Sequence, residues 1–282
     1  MNVDLAAFRL AALSTLTASG NQRGATTGGS GDFLNALLNA KGLQTPGAAA
    51  GSGLEGLFGG ESTRVASVLA QLEASNAAFL RRYNARVAEI GNEAEVLAQL
   101  RARVAELGEA SQALAGLEMS RGDGEIKSAL EDFIARYNAW DAEFDPYFER
   151  GALLDDNQAG GVARFSLRRE IGSIFHGAGN GGFAKGLTDM GVQITPDGQL
   201  VLDAAAFDAA LSADRQAAVR TLNNVANAFA GTAELLASDG HLLDRRIDNA
   251  ARAVSWAADN QDSVDAEFGP GAVAARMRGA LF

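Results

Sequence analysis

VASVLAQLEASNAAFLRRY, residues 65–83, is where this chain of 282 residues first acquires a regular pattern. Val65, Leu69, Leu72, Asn76, Phe79 and Tyr83 fall at alternating steps of four and three residues. A repeat of 3.5 keeps one stripe of a helix turned toward one partner, which is the seam of a coiled coil. After Tyr83 the step is four again, to Val87, and the alternation resumes with Ile90, Ala94 and Leu97. It slips at Leu100 before Val104, Leu107, Ser111 and Leu114. Such phase shifts change the supercoil locally without ending the helix. Gly91 and Gly108 each cost about 1 kcal/mol relative to Ala, so the helix can break at either.

A second seam lies at the other end of the chain. From near Ser238, Leu243, Ile247, Ala250, Val254, Ala257, Gln261 and Val264 repeat at the same steps, between Asp239-Gly240 and Gly269-Pro270-Gly271. Two heptad helices at opposite ends, 61–118 and 238–282, predict that they pair with each other. The expected fold is mainly α: an elongated helical bundle or coiled-coil rod over 61–282, with one small β-hairpin. Residues 1–60 read differently, as a low-complexity, flexible N-terminal segment. GNQRGATTGGSGD and QTPGAAAGSG are too poor in apolar side chains to offset their ordering entropy. Between them Phe33, Leu34, Leu37 and Leu38 suit a short helix that orders on a partner.

Central helices fill 124–176. Ile126, Leu130, Phe133, Tyr137, Trp140 and Phe144 form an aromatic stripe that Pro146 should end. A further helix is expected over Gly161–Phe175, with Leu167, Ile171 and Ile174 on one face. The segment 187–230 holds the hairpin and short helices. In MGVQITPDGQLVLD, Val192 and Ile194 alternate with polar residues, Pro196-Asp197-Gly198 supplies the turn, and Leu200 and Leu202 return. Gly198 should need a positive φ and resist substitution, whereas Gln199 should tolerate it. Phe207 and Leu211 mark one following helix; Val219, Leu222, Val225 and Phe229 mark the next.

Composition narrows function. The net charge of −11 argues against nucleic acid, whose phosphates call for clustered Lys and Arg. The chain has no Cys, so disulfides, thiolate nucleophiles and Cys metal sites drop out. No apolar run is long enough to span a membrane. At the N-terminus Asp4 precedes any basic residue and Arg9 interrupts the apolar run, so no cleaved secretory signal is expected. Only two histidines occur, His176 and His241, neither with a second ligand at helical spacing. GAGNGGFAKG lacks the Gly-Lys-Ser/Thr ending of a phosphate loop and reads as a linker. Asp155-Asp156-Asn157 lacks the ligand alternation of a calcium loop and suits a helix cap. No constellation for catalysis, metal or cofactor emerges, and the aromatic stripe is expected in the core or at a subunit interface.

Four segments then follow one another in a telling order. They are Phe133, Tyr137 and Asn138 on the aromatic helix; Leu153-Leu154-Asp155-Asp156; Leu187, Met190, Gly191, Val192, Asp197, Gly198, Leu200, Leu202 and Asp203 across the hairpin; and Asp239, Gly240, Leu242, Leu243 and Arg245 opening the last helix. In this order over residues 125–250 the chain resembles the C-terminal region of the flagellar filament cap family, hook-associated protein 2. Where that family carries a β-rich head, this chain has only GLEMSRGDGE, so it resembles a short, headless member. The resemblance implies a non-enzymatic homo-oligomer exported by the flagellar type III apparatus to the extracellular filament tip. There it would meet flagellin and hook-associated proteins, with an export chaperone before that. A hook–filament junction or other flagellin-like axial subunit, or a headless cap-like accessory, is the alternative.

On this reading the self-association and packing residues are Val65, Leu69, Leu72, Phe79, Tyr83, Phe133, Tyr137, Trp140, Leu243, Ile247 and Val254, with Pro196, Asp197 and Gly198 at the hairpin turn. Replacing Val65, Leu69 and Leu72 together with Ser should reduce assembly while leaving the central helices folded. Light scattering that returned the same oligomer mass for the triple variant would refute this.

Overall fold

The computed structural model describes residues 54–279, with side chains from 65 to 278. The expected short helix at Phe33–Leu38 lies outside the described residues. The chain divides into two compact units, residues 1–71 and 72–282. In the first, the described part is the opening of helix α1, which runs Leu54–Ala115 without interruption. It begins ahead of the expected Glu61 and passes through Gly91 and Gly108, so neither glycine breaks it.

The second unit is mainly α with one two-stranded antiparallel sheet. After α1 come α2 (Asp123–Phe144) and a 3-10 turn (Asp145–Phe148) that opens with Pro146 near its start. Then follow α3 (Gln158–Gly172), a second 3-10 turn (Gly186–Met190), β1 (Val192–Ile194) and β2 (Leu200–Leu202). The chain finishes with α4 (Ala204–Ala213), α5 (Arg215–Ala237), α6 (Leu242–Asp259), α7 (Gln261–Phe268) and α8 (Ala272–Gly279).

Within this unit α1 lies antiparallel to the C-terminal helices. Asn223 Nδ2 donates to the Leu117 carbonyl at 3.1 Å and the Ser111 hydroxyl to the Ala226 carbonyl at 2.9 Å. Gly108 faces Ala233 so closely that an added Cβ would sit 3.1 Å from the alanine's own. On α5, Ala226, Ala230 and Ala233 form a buried small-residue face that allows this approach. Further along, Arg101 donates to the Ala237 carbonyl at 2.6 Å, to Asp244 at 2.8 Å and to Asp239 at 2.5 Å. It thereby satisfies a carbonyl that the end of α5 leaves orphaned, and ties down the start of α6. Glu93, itself buried, accepts from Arg246 on α6 at 2.6 Å and from Asn157 at 2.5 Å. Gly91 meets Val254, and the Phe79 and Phe268 rings stand 4.4 Å apart.

The heptad face of α6 and α7 turns inward as expected: Leu243, Ala250, Ala257 and Val264 are buried, and Ile247, Val254 and Gln261 half-buried. This is not one long helix, however. Asn260 caps the end of α6 and α7 restarts at Gln261. On α1 burial grows along the seam, from half-buried at Phe79 and Tyr83 to fully buried at Leu97, Leu100 and Val104.

The aromatic stripe of α2 is core. Phe133, Tyr137, Trp140 and Phe144 are buried, and Phe133 meets Phe229 of α5 edge-on at 5.2 Å. Helix α3 begins earlier than expected because Asn157 caps it, its side chain accepting from the Gly160 amide at 2.8 Å. It also ends earlier, at Gly172, so Ile174 lies beyond it and is exposed rather than in the core.

Gly108→Leu should destabilise the unit by about 1–3 kcal/mol, because the α1–α5 crossing has no room for a branched side chain. A lowered chemical-denaturation midpoint at unchanged m-value is the expected reading, and an unchanged midpoint would contradict this packing.

Candidate assembly interface

Two surfaces bear on function: the seam of α1, and the face where α3 meets the hairpin. The seam residues sort by depth. Leu243 is fully buried, Phe79, Tyr83, Ile247 and Val254 are half-buried, and Leu72 stays 38% exposed. In the N-terminal unit Val65 is 55% and Val68 39% exposed, and Leu69 is half-buried. Phe133, Tyr137 and Trp140 are closed inside their own chain, so as they stand they serve packing and not contact with another copy.

The hairpin is docked by side chains that periodicity does not reveal. Its register pairs Val192 with Leu202, Gln193 with Val201 and Ile194 with Leu200. At the turn the Gly198 amide donates to the Thr195 carbonyl at 2.9 Å, with Pro196 and Asp197 between them and Gly198 at φ 90°. A side chain there would also run into the Arg168 guanidinium, so the expectation for Gly198 agrees with the geometry. Asn138 of α2 then behaves like a third strand. Its amide donates to the Leu200 carbonyl at 2.8 Å, and its oxygen accepts from the Leu200 amide at 2.7 Å.

Beside it, Asp141 is buried at 1% exposure on the same helix. It accepts from Arg168 of α3 at 2.7 Å and from the Gln199 side chain at 3.0 Å. Gln199 is therefore part of the dock, contrary to the tolerance expected of it. Arg164 completes the group by pairing with Asp145 and lying 5.1 Å over the Phe148 ring. Burial, with the charge of Arg168, pulls the Arg164 guanidinium below its ordinary range. Burial likewise pushes the Tyr137 hydroxyl up to about 12, with the Asp141 charge adding to the effect.

The loop after α3 carries the other feature. His176 and Glu170 are 2.7 Å apart, and Arg169 donates to the same carboxylate at 2.7 Å. Burial raises the Glu170 carboxyl, but the hydrogen bonds from Arg169 and His176 outweigh it and hold it below the usual range. The Asn224 side chain fixes the His176 carbonyl at 2.8 Å, and the Thr221 hydroxyl accepts from the Phe183 amide at 2.9 Å. Ile174 and Phe175 project outward, 48% and 76% exposed, over a shallow groove of about 490 Å³.

Among the described residues no three His, Asp or Glu side chains gather where they could hold a metal ion, and no helix is long and apolar enough to cross a membrane. His241 is exposed at the start of α6 and forms no side-chain cap there. Asn157 caps α3, the role expected of this triplet, and Asp155 accepts from the Gly151 amide in the turn before it. Glu131 and Asp132 are exposed, and Asp132 pairs with Arg136 on its own helix.

The Tyr137 shift gives an alkaline test. The folded state holds this proton more tightly than the unfolded chain, so its contribution is complete below pH 10 and is lost as pH rises through about 12. The loss amounts to about 2–3 kcal/mol. Tyr137→Phe should flatten this part of the stability–pH curve, and an equally steep alkaline limb in the variant would show that another group titrates there.

No protein-family model matches this chain, and no curated protein or solved structure matches it either.

Proposed function

We propose that the protein is a non-catalytic, self-assembling component of the bacterial flagellum, built like the filament cap but without its head. One observation carries the self-assembly part: the heptad repeat reaches side chains that their own chain leaves open. Leu72 and Val65 keep much of their surface in water, while later members of the same repeat are fully covered. Exposed apolar side chains in a regular seam mark a surface for another helix. The flagellar part rests on the ordered resemblance over residues 125–250. On this reading the chain is exported, acts outside the cell, and meets flagellin and hook-associated proteins as well as itself.

The test is to delete the gene in the organism that carries it and to tag the restored protein. A cap-like role requires short or missing filaments, flagellin released into the medium, and the tagged protein at filament tips. Label along whole filaments or at the hook–filament junction would favour an axial subunit. Normal filaments and normal motility in the deletion strain would defeat both.

A further inference from the structure

We propose that α7 and α8 form a displaceable cover over a docking face on α1, and that this face is shaped for the same face of a second copy of the chain. The proposal rests on the self-assembly reading above but not on its flagellar part.

The cover touches α1 at Glu73 and Phe79. The Gly271 amide donates to Glu73 Oε2 at 3.2 Å, and the Phe268 ring lies against Phe79 at 4.4 Å. Along this stretch of α1 the polar accounting fails. Glu73 Oε1, Asn76 Nδ2 and Tyr83 Oη are all buried without a hydrogen-bond partner among the described residues. Deeper along the same helix the seam's polar groups are satisfied: Ser111 by the Ala226 carbonyl, Arg101 by α5 and α6, Glu93 by Arg246. Burial without a partner is costly, and native interfaces avoid it. On α1 itself the polar groups at 93, 101 and 111 are matched and those at 73, 76 and 83 are not; off the helix, Asn223 Oδ1 of α5 is unmatched as well.

The identity of the unmatched residue points to the occupant. Val65, Leu69, Leu72, Asn76, Phe79 and Tyr83 are one heptad stripe, and Asn76 is its amide. In a two-stranded coiled coil a single Asn in the seam meets the Asn of its twin, each amide donating to the other's oxygen, and this fixes register and partner number. Pairing of α1 with α1 from a second copy would give Asn76 that acceptor and bury Leu72, which the cover leaves 38% exposed. The cover is also jointed. The helix breaks at Asn260 before α7, and Gly269-Pro270-Gly271 separates α7 from α8, with Gly271 at φ 77°.

The experiment is absolute mass by light scattering on the full chain over a concentration series, with far-ultraviolet circular dichroism to confirm helix content. Phe268→Ala loosens the cover without altering the proposed dimer face. It should strengthen dimerisation roughly tenfold, the value of a lost aromatic contact in a binding equilibrium. Adding Leu72→Asp to that variant should restore the monomer. A Phe268→Ala protein that does not dimerise more readily than the unaltered chain overturns the proposal, as does a dimer indifferent to Leu72→Asp. Amide exchange on the unaltered chain gives a second reading that needs no variant. Residues 261–279 should lose protection and residues 72–83 gain it as mass doubles. Doubling with 261–279 still protected would place the dimer face elsewhere, and a chain that stays monomeric with 261–279 protected throughout would also reject it. None of these outcomes decides whether the protein is found at a filament tip.

Discussion

The antiparallel contact between α1 and the helices at the far end of the chain is the constraint on which the other packing depends. It works because the two partners differ in kind along their length. Opposite α5 the surfaces are small, with Gly108 and Ser111 against Ala226, Ala230 and Ala233, and the backbones approach closely. At the α5–α6 junction Arg101 replaces the missing helix hydrogen bonds and makes the break in the partner a fixed point rather than a weak one. With that frame in place, the α2 stripe has a wall to pack on, Phe229, and the hairpin has α2 to dock on.

A two-stranded hairpin of three-residue strands is marginal by itself in water. Here its stability is borrowed from α2 and α3. Asn138 completes the hydrogen bonding of β2, and Asp141 collects Arg168 and Gln199 around the turn. Removing Arg168 would take from this buried carboxylate its closest cation, leaving the Gln199 amide and the more distant Arg164, which is a costly arrangement. Several residues that carry the flagellar resemblance act here: Asn138, Gly198 and Leu200 in the dock, Met190 and Val192 in the core beneath it, and Asp203 as the cap of α4. What the structure shows of these residues is therefore how this region folds.

Much of this was legible in the sequence, for identifiable reasons. The seams announce themselves because burial on one helical face leaves a period that survives in the residue types, and Leu97, Val104, Leu243 and Ala257 all lie where that period puts them. The hairpin was legible because Pro196-Asp197-Gly198 has few other uses. Polar docking was not. Asp141 and Gln199 look like solvent residues, and only the arrival of Arg168 from another element makes one buried and the other half-buried. The start of α1 was misplaced because residues 1–60 read as one low-complexity segment while the helix begins at Leu54. The end of α3 was misplaced because Ile174 keeps the apolar spacing after the helix has stopped. The unmatched Asn76 was visible as a heptad member, but that its amide lacks an acceptor emerges only from the packing.

The pairing of α1 with α5 and α6 also sets a timetable. A chain made or threaded from its N-terminus presents α1 long before Ala226, Ala233 or Asp244 exists beside it. Contacts such as Arg246 with Glu93, 153 residues apart, and Gly271 with Glu73, 198 apart, cannot close until the later partner has been made. Until then α1 is a lone amphipathic helix and the α2 aromatics lack their wall. A chain wired this way closes into its native form only once segments from both of its halves have been made.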